Sequence, residues 1–157
     1  MGILKPTEWK ASWISFGAEK EVKSSKPAQY FRKEFTTAKK VKSARVYSTT
    51  LGLYQLYING SKVSSDLFTP GWTSYKKRLQ YQTYDVTSML KGQNAIGVVL
   101  ADGWYRGNIG FSKQSDYYGN KYLYEQKIQN PTHEEQIRHF INFAIYDRSY
   151  SAILRRR

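Results

Sequence analysis

The sequence predicts an all-β fold, a β-sandwich of the jelly-roll kind, on three observations. Aromatic residues make up 16% of the chain, with 14 Tyr and 4 Trp, and such flat side chains favour the pleated, half-buried surface of a strand. Short runs of strand spacing, separated by turn signals, recur as far as Asn130 without a convincing long helix. The pair Asn59-Gly60 is the strongest local signal, because it supplies the positive φ angles of a type I′ hairpin turn.

Taken in order, "WKASWISF" sets Trp9, Ala11 and Trp13 on one side and Lys10 and Ser12 on the other, which is strand alternation. A polar loop ends at Pro27, and "AQYFRKEFTT" is the next strand. After the turn "AKKVK", "SARVYSTTLGLYQLYING" reads as two strands with a break near Gly52. The chain should reverse at Asn59-Gly60 into "SKVSSD". "RLQYQTYDV" alternates Leu79, Tyr81 and Thr83 against Gln80, Gln82 and Tyr84. "TSMLKG" predicts one helical turn, capped by Thr87 and stopped by Gly92. "NAIGVVL" is nearly all apolar, as expected of a central strand covered on both faces. The domain reading is therefore 1–130 as a β-sandwich and 131–157 as an atypical tail, helical or without fixed structure. In that tail Thr132 and Glu135 make a capping-box pattern, and Ile137, Phe140, Ile141, Ala144 and Ile145 form an amphipathic stripe.

At 157 residues the chain is sized for one domain. It has no cysteine, so disulfides and thiolate metal sites are excluded. No apolar run is long enough for a bilayer and "MGILKPTEWK" lacks a signal-peptide core, so the chain as written predicts a cytoplasmic protein with no membrane partner. The net charge of +13 raises the question of polyanions. The basic residues are dispersed, from Lys23 and Arg32 to Lys76, Lys77 and Arg78, and only Arg155 to Arg157 form a block. With no accompanying motif, no nucleic-acid partner is expected, and polyanion binding ranks last among the readings.

The chemistry is mostly one of exclusions. His133 and His139 are six residues apart, the wrong spacing for two ligands on one helix face. The carboxylates available to a glycosidase-type pair are Asp66, Asp85, Asp102, Asp116 and Glu125, and only Asp102, at the mouth of an apolar strand, has a context that would raise its pKa. The glycine-rich stretch "LADGWYRGNIGF" matches neither phosphate-loop pattern. What remains is aromatic and polar. "TPGWTSY" and "ADGWYRGNIGF" each set a Trp beside a Gly with a Tyr close by, in a loop flanking a strand. Such rings can carry the C–H face of a sugar while Asp102, Arg106 and Asn108 meet its hydroxyls. The competing reading is structural: Trp72 and Trp104 plug the two ends of the sandwich, and Arg106 stacks on a ring or pairs with Asp102.

The run Leu51 to Phe111 resembles the amino-terminal β-sandwich domain of bacterial α-L-rhamnosidases, through "YINGSKV", "PGWTSY", "YQTYDVT", "NAIGV" and above all "ADGWYRGNIGF". With "WKASWI" and "YFRKEF" the resemblance runs from Pro6 to Asn120. It implies a jelly-roll, galactose-binding-like module beside a separate (α/α)₆ barrel that performs inverting hydrolysis of terminal α-L-rhamnosides. It implies a non-catalytic accessory module, inactive alone, whose partners are a rhamnose-containing carbohydrate and the barrel; the alternative is a purely structural domain. The best-matched carbohydrate-binding surface is Trp72, Tyr75, Asp102, Trp104, Tyr105, Arg106 and Asn108. In some relatives a similar domain binds rhamnose through calcium, but here Lys76-Lys77 follow Tyr75, so no cofactor is expected. After "YYGNK" the run "YLYEQKIQNPTHEEQ" leaves the family's hydrophobic strand pattern, and the expectation is a fragment of a rhamnosidase gene, by truncation, frameshift or deliberate design.

Overall fold

The computed structural model describes residues 13–14, 27–37, 40–111, 114–119 and 123–129, the last of these as backbone alone. Its strands are β1 (Gln29–Thr36), β2 (Arg45–Leu51), β3 (Leu53–Ile58), β4 (Ser61–Lys62), β5 (Gln82–Asp85), β6 (Gln93–Ala101) and β7 (Leu123–Gln129). A 3₁₀ turn, Thr87–Met89, precedes β6, and one helical turn, α1 (Gly103–Arg106), follows it. Two antiparallel sheets result, one ordered β1-β6-β3-β4 and the other β5-β2-β7. The all-β expectation holds. Among the described residues no helix is long and apolar enough to cross a membrane.

Alternation builds the core between the sheets. Phe31 on β1, Tyr54, Leu56 and Ile58 on β3, and Ile96, Val98 and Leu100 on β6 all point inward, where they join Val46 of β2 in one buried cluster. Ile14 of the first expected strand enters the same cluster and Trp13 beside it is half-buried; the rest of that strand lies outside the described residues. β2 and β3 are consecutive in sequence yet belong to different sheets. Gly52 makes the crossing, at a φ of 134° that L side chains rarely adopt.

The hairpin forms as expected, with Asn59 and Gly60 at φ 52° and 82° and Ile58 paired to Ser61. Asn59 also ties this end together. Its amide donates to the Met89 carbonyl at 2.8 Å and to Asn94 Oδ1 at 3.0 Å, while its Oδ1 accepts from Ala95 N–H at 2.9 Å.

Four expectations need correcting. β6 is central in its sheet, but it is not covered on both faces: Asn94, Ile96, Val98 and Leu100 are buried while Ala95, Gly97, Val99 and Ala101 are half-exposed. The strand enclosed on both sides is β2, in which Val46, Tyr47, Ser48, Thr49 and Thr50 are all buried despite four hydroxyls. The physical reason is the segment before β5. Only Gln82–Asp85 of the expected strand pair with β2, while Tyr81 packs its ring against Tyr47 at 6.2 Å and Thr49 Oγ1 donates to the Gln80 carbonyl at 2.6 Å.

Thr87 does not cap its turn but begins it. Asp85 Oδ1 takes the Thr87 N–H at 2.9 Å, and hydrogen bonds from the Thr87 side chain first and its N–H second hold the Asp85 carboxyl below the usual range, while Thr87 Oγ1 accepts from Ala44 N–H at 2.9 Å. The turn ends at Leu90, which is already extended, before Gly92. Finally, "LYEQKIQ" does not leave the strand pattern: it forms β7, paired with β2 from Arg45↔Gln129 to Leu51↔Leu123. The capping box and stripe of 131–157 lie outside the described residues.

Candidate functional site

The start of β3 and the end of β6 pair at Leu53↔Ala101, which places the loops on either side of them at one end of the molecule. One loop follows β4 and carries Trp72 and Tyr75; the other begins at α1 and carries Trp104 and Tyr105. They meet ring to ring. Tyr75 stands edge-on to Tyr105 at 5.2 Å and to Tyr118 at 5.0 Å, while Tyr105 and Tyr118 stack at 6.3 Å with 20° between their planes. Tyr117 lies edge-on to Tyr118 at 4.7 Å, and the Lys76 ammonium sits 5.8 Å from the Tyr117 centroid. Trp104 meets Phe68 at 6.3 Å, edge-on.

The polar candidates divide. Asn108 is exposed. Asp102 and Arg106 are buried and spend their charge on each other, with Arg106 Nη1 2.8 Å from Asp102 Oδ1. Arg106 Nε lies a further 3.2 Å from Asp116 Oδ1. The Asp102 carboxylate makes no capping bond to α1, although the residue sits at its N-cap. Of the two alternatives for Arg106, the ion pair with Asp102 is the one observed. The tryptophans do not plug opposite ends. Their loops share one end, and Trp72 and Trp104 are 56% and 36% exposed. The carboxylates Asp102 and Asp116 hold a guanidinium between them, where a glycosidase pair would flank a sugar oxygen.

Phe68, Tyr117 and Tyr118 belong to this end and were not singled out from the sequence, and Asp116, named there only as a candidate carboxylate, joins them. The signals available were local: "DYYG" repeats the Tyr-Gly pairing of the other loops, and Asp116 tolerates its positive φ of 57° as few residues do.

Burial pushes the Tyr75 phenol above its ordinary value of 10.0, and the neighbouring Tyr118 raises it further. Burial alone raises Tyr105, and mainly burial raises Tyr84. A folded-state pKa above the unfolded one contributes stability that is complete below the unfolded value and lost as pH rises through the folded value. The contribution of these tyrosines should therefore be flat below about pH 9 and fall above about pH 10. Phenolate absorbance followed through an alkaline titration should show these tyrosines lagging; a single step with the exposed tyrosines would contradict this.

The Alpha-L-rhamnosidase N-terminal domain family matches residues 39–141. An alpha-L-rhamnosidase of Alteromonas sp. (strain LOR) is 41% identical over 126 residues, covering 74% of this chain and 14% of that protein. Among solved structures, an alpha-L-rhamnosidase from Aspergillus terreus superposes with a TM-score of 0.77 at 40% identity, over 82% of this chain and 15% of that one. The Streptomyces avermitilis alpha-L-rhamnosidase complexed with L-rhamnose gives a TM-score of 0.63 at 44% identity, over 67% of this chain and 10% of that one. The chain thus spans about a seventh of the length of the Alteromonas protein, in line with its 14% coverage.

Proposed function

The chain belongs to the Alpha-L-rhamnosidase N-terminal domain family, and from that membership we propose that it is a non-catalytic accessory domain of an α-L-rhamnosidase, with its aromatic end as the carbohydrate-contacting surface. The observation that carries this reading is the convergence of two Trp-Gly loops at one end, with Trp72 and Trp104 left exposed above the Tyr75–Tyr105 contact. Exposed rings, with Asn108 exposed in the same glycine-rich segment as Trp104, suit the alternating C–H and hydroxyl faces of a sugar. Asp102 and Arg106 support the rings from beneath and are not sugar contacts. The relative crystallised with L-rhamnose makes that sugar the first ligand to test. This reading assigns calcium no role among the described residues, because Asp102 and Asp116 both face Arg106 and the segment after Tyr75 presents Lys76, Lys77 and Arg78 to solvent.

Titrating L-rhamnose against tryptophan fluorescence should give a saturable change with a midpoint on the order of millimolar. A chelator should leave it unchanged. Trp104→Ala should weaken binding by about 1 kcal/mol, roughly fivefold. No response up to about tens of millimolar would sink the sugar reading.

A second reading has its own observation. Leu67 is 72% exposed and Phe68 64%, beside Trp104, and such apolar side chains offer nothing to hydroxyls. They suit packing against another domain of the enzyme, and that structural role is the one a silent titration would leave.

A further inference from the structure

We propose that Arg106 is the positioning residue of the aromatic end: clamped between Asp102 and Asp116, it fastens segment 114–119 onto α1 and so sets where the Tyr105 and Tyr118 rings stand. The inference rests on reading those rings as a contact surface.

The clamp joins two stretches of chain that would otherwise be separate loops. Asp102 closes β6, whereas Asp116 arrives from the far side of the glycine-rich segment. The guanidinium between them is 4% exposed and the Asp116 side chain 27%. Backbone bonds follow the same line, with Asp116 N–H donating to the Arg106 carbonyl at 2.8 Å and Tyr118 N–H to that of Tyr105 at 3.3 Å. Each ring of the stacked pair is thus within two residues of a clamp partner. The backbone of Gly119 completes the seat, since a Cβ there would run into the Tyr105 hydroxyl. The two sides differ in kind: Arg106 Nη1 donates a hydrogen bond to Asp102 Oδ1 at 2.8 Å, whereas Nε faces Asp116 Oδ1 at 3.2 Å as a buried charge pair rather than a hydrogen bond. A planar guanidinium presents positive charge along both edges, which a lysine ammonium on its flexible stem cannot reproduce.

The test compares Asp116→Asn and Arg106→Lys with the wild-type 157-residue chain by amide hydrogen exchange and by ring-to-ring nuclear Overhauser effects. In both variants the amides of residues 116 and 118 should exchange about tenfold faster or more, while those of Val98 and Leu56 hold. The Tyr105–Tyr118 effect should fade and the far-ultraviolet circular dichroism should not change. Unchanged local exchange and ring contacts would overturn the proposal. So would equal acceleration at Val98 and Leu56, or a chain that does not fold, because both variants keep a cation opposite Asp102 and the loss should then stay within segment 114–119. Sugar plays no part in these readouts, so a silent rhamnose titration with a positive exchange result would reject the contact-surface reading and leave the clamp standing.

Discussion

Gly52→Ala will lower the stability of this domain by about 2–6 kcal/mol, a large part of what a domain has. Two effects act together. The backbone at Gly52 has φ 134°, a conformation that costs an L residue about 1–3 kcal/mol. The new Cβ would also drive into the Ala101 carbonyl oxygen and stand 3.3 Å from that of Asp102. Neither neighbour can move easily, because Ala101 pairs with Leu53 at the end of the central strand β6 and Asp102 is fastened to Arg106. Overpacking against such fixed atoms adds about 1–3 kcal/mol. Denaturant unfolding should show a lower midpoint at constant slope. Gly92→Ala is the control, since a Cβ there meets nothing within 4 Å and its φ is ordinary. A Gly52→Ala midpoint equal to that of Gly92→Ala would refute the argument.

The same crossing shows what could be read in advance. A glycine between two strand-like runs announces a break, and Asn59-Gly60 announces a hairpin, because both are demands on the backbone made by adjacent residues. Which face of which strand is covered is a demand made from afar. "NAIGVVL" looked like a doubly buried strand, yet one face stays half-exposed. "RVYSTTL" is rich in hydroxyls, yet it is enclosed because residues about thirty positions later fold over it and accept the Thr49 hydroxyl hydrogen bond. Hydropathy along the chain cannot report that, since a buried hydroxyl with a partner loses little.

The candidate end divides in the same way. Its aromatic loops were legible as motifs, and Tyr75, Trp104 and Tyr105 do gather there. Their ring geometry depends on Tyr118 and Asp116, which approach only through the return of the chain at 114–119. Asp102 and Arg106 sit four residues apart, one helical turn, and that spacing made their pairing readable. Their burial was not, because it is set by the segment that Asp116 brings over them.

That burial fixes the second large effect. Arg106→Met removes the cation facing Asp102 and Asp116 and should cost about 3–5 kcal/mol, because a carboxylate is left buried without its partner. At about 2–4 °C per kcal/mol for a chain of this size, the midpoint of thermal unfolding should fall by about 6–20 °C. Asp102→Leu alone should be damaging for the mirror reason, stranding a guanidinium that is 4% exposed. The double variant is the informative one. With both charges replaced by apolar groups of similar size, the charge left without its cation is Asp116, whose Oδ1 is buried but whose side chain is 27% exposed and can turn toward water. Its cost should fall short of the sum of the single costs by about 1–3 kcal/mol. Simple additivity would mean that Asp102 and Arg106 act independently, and that the pair at the root of the aromatic end is not the unit its 2.8 Å contact implies.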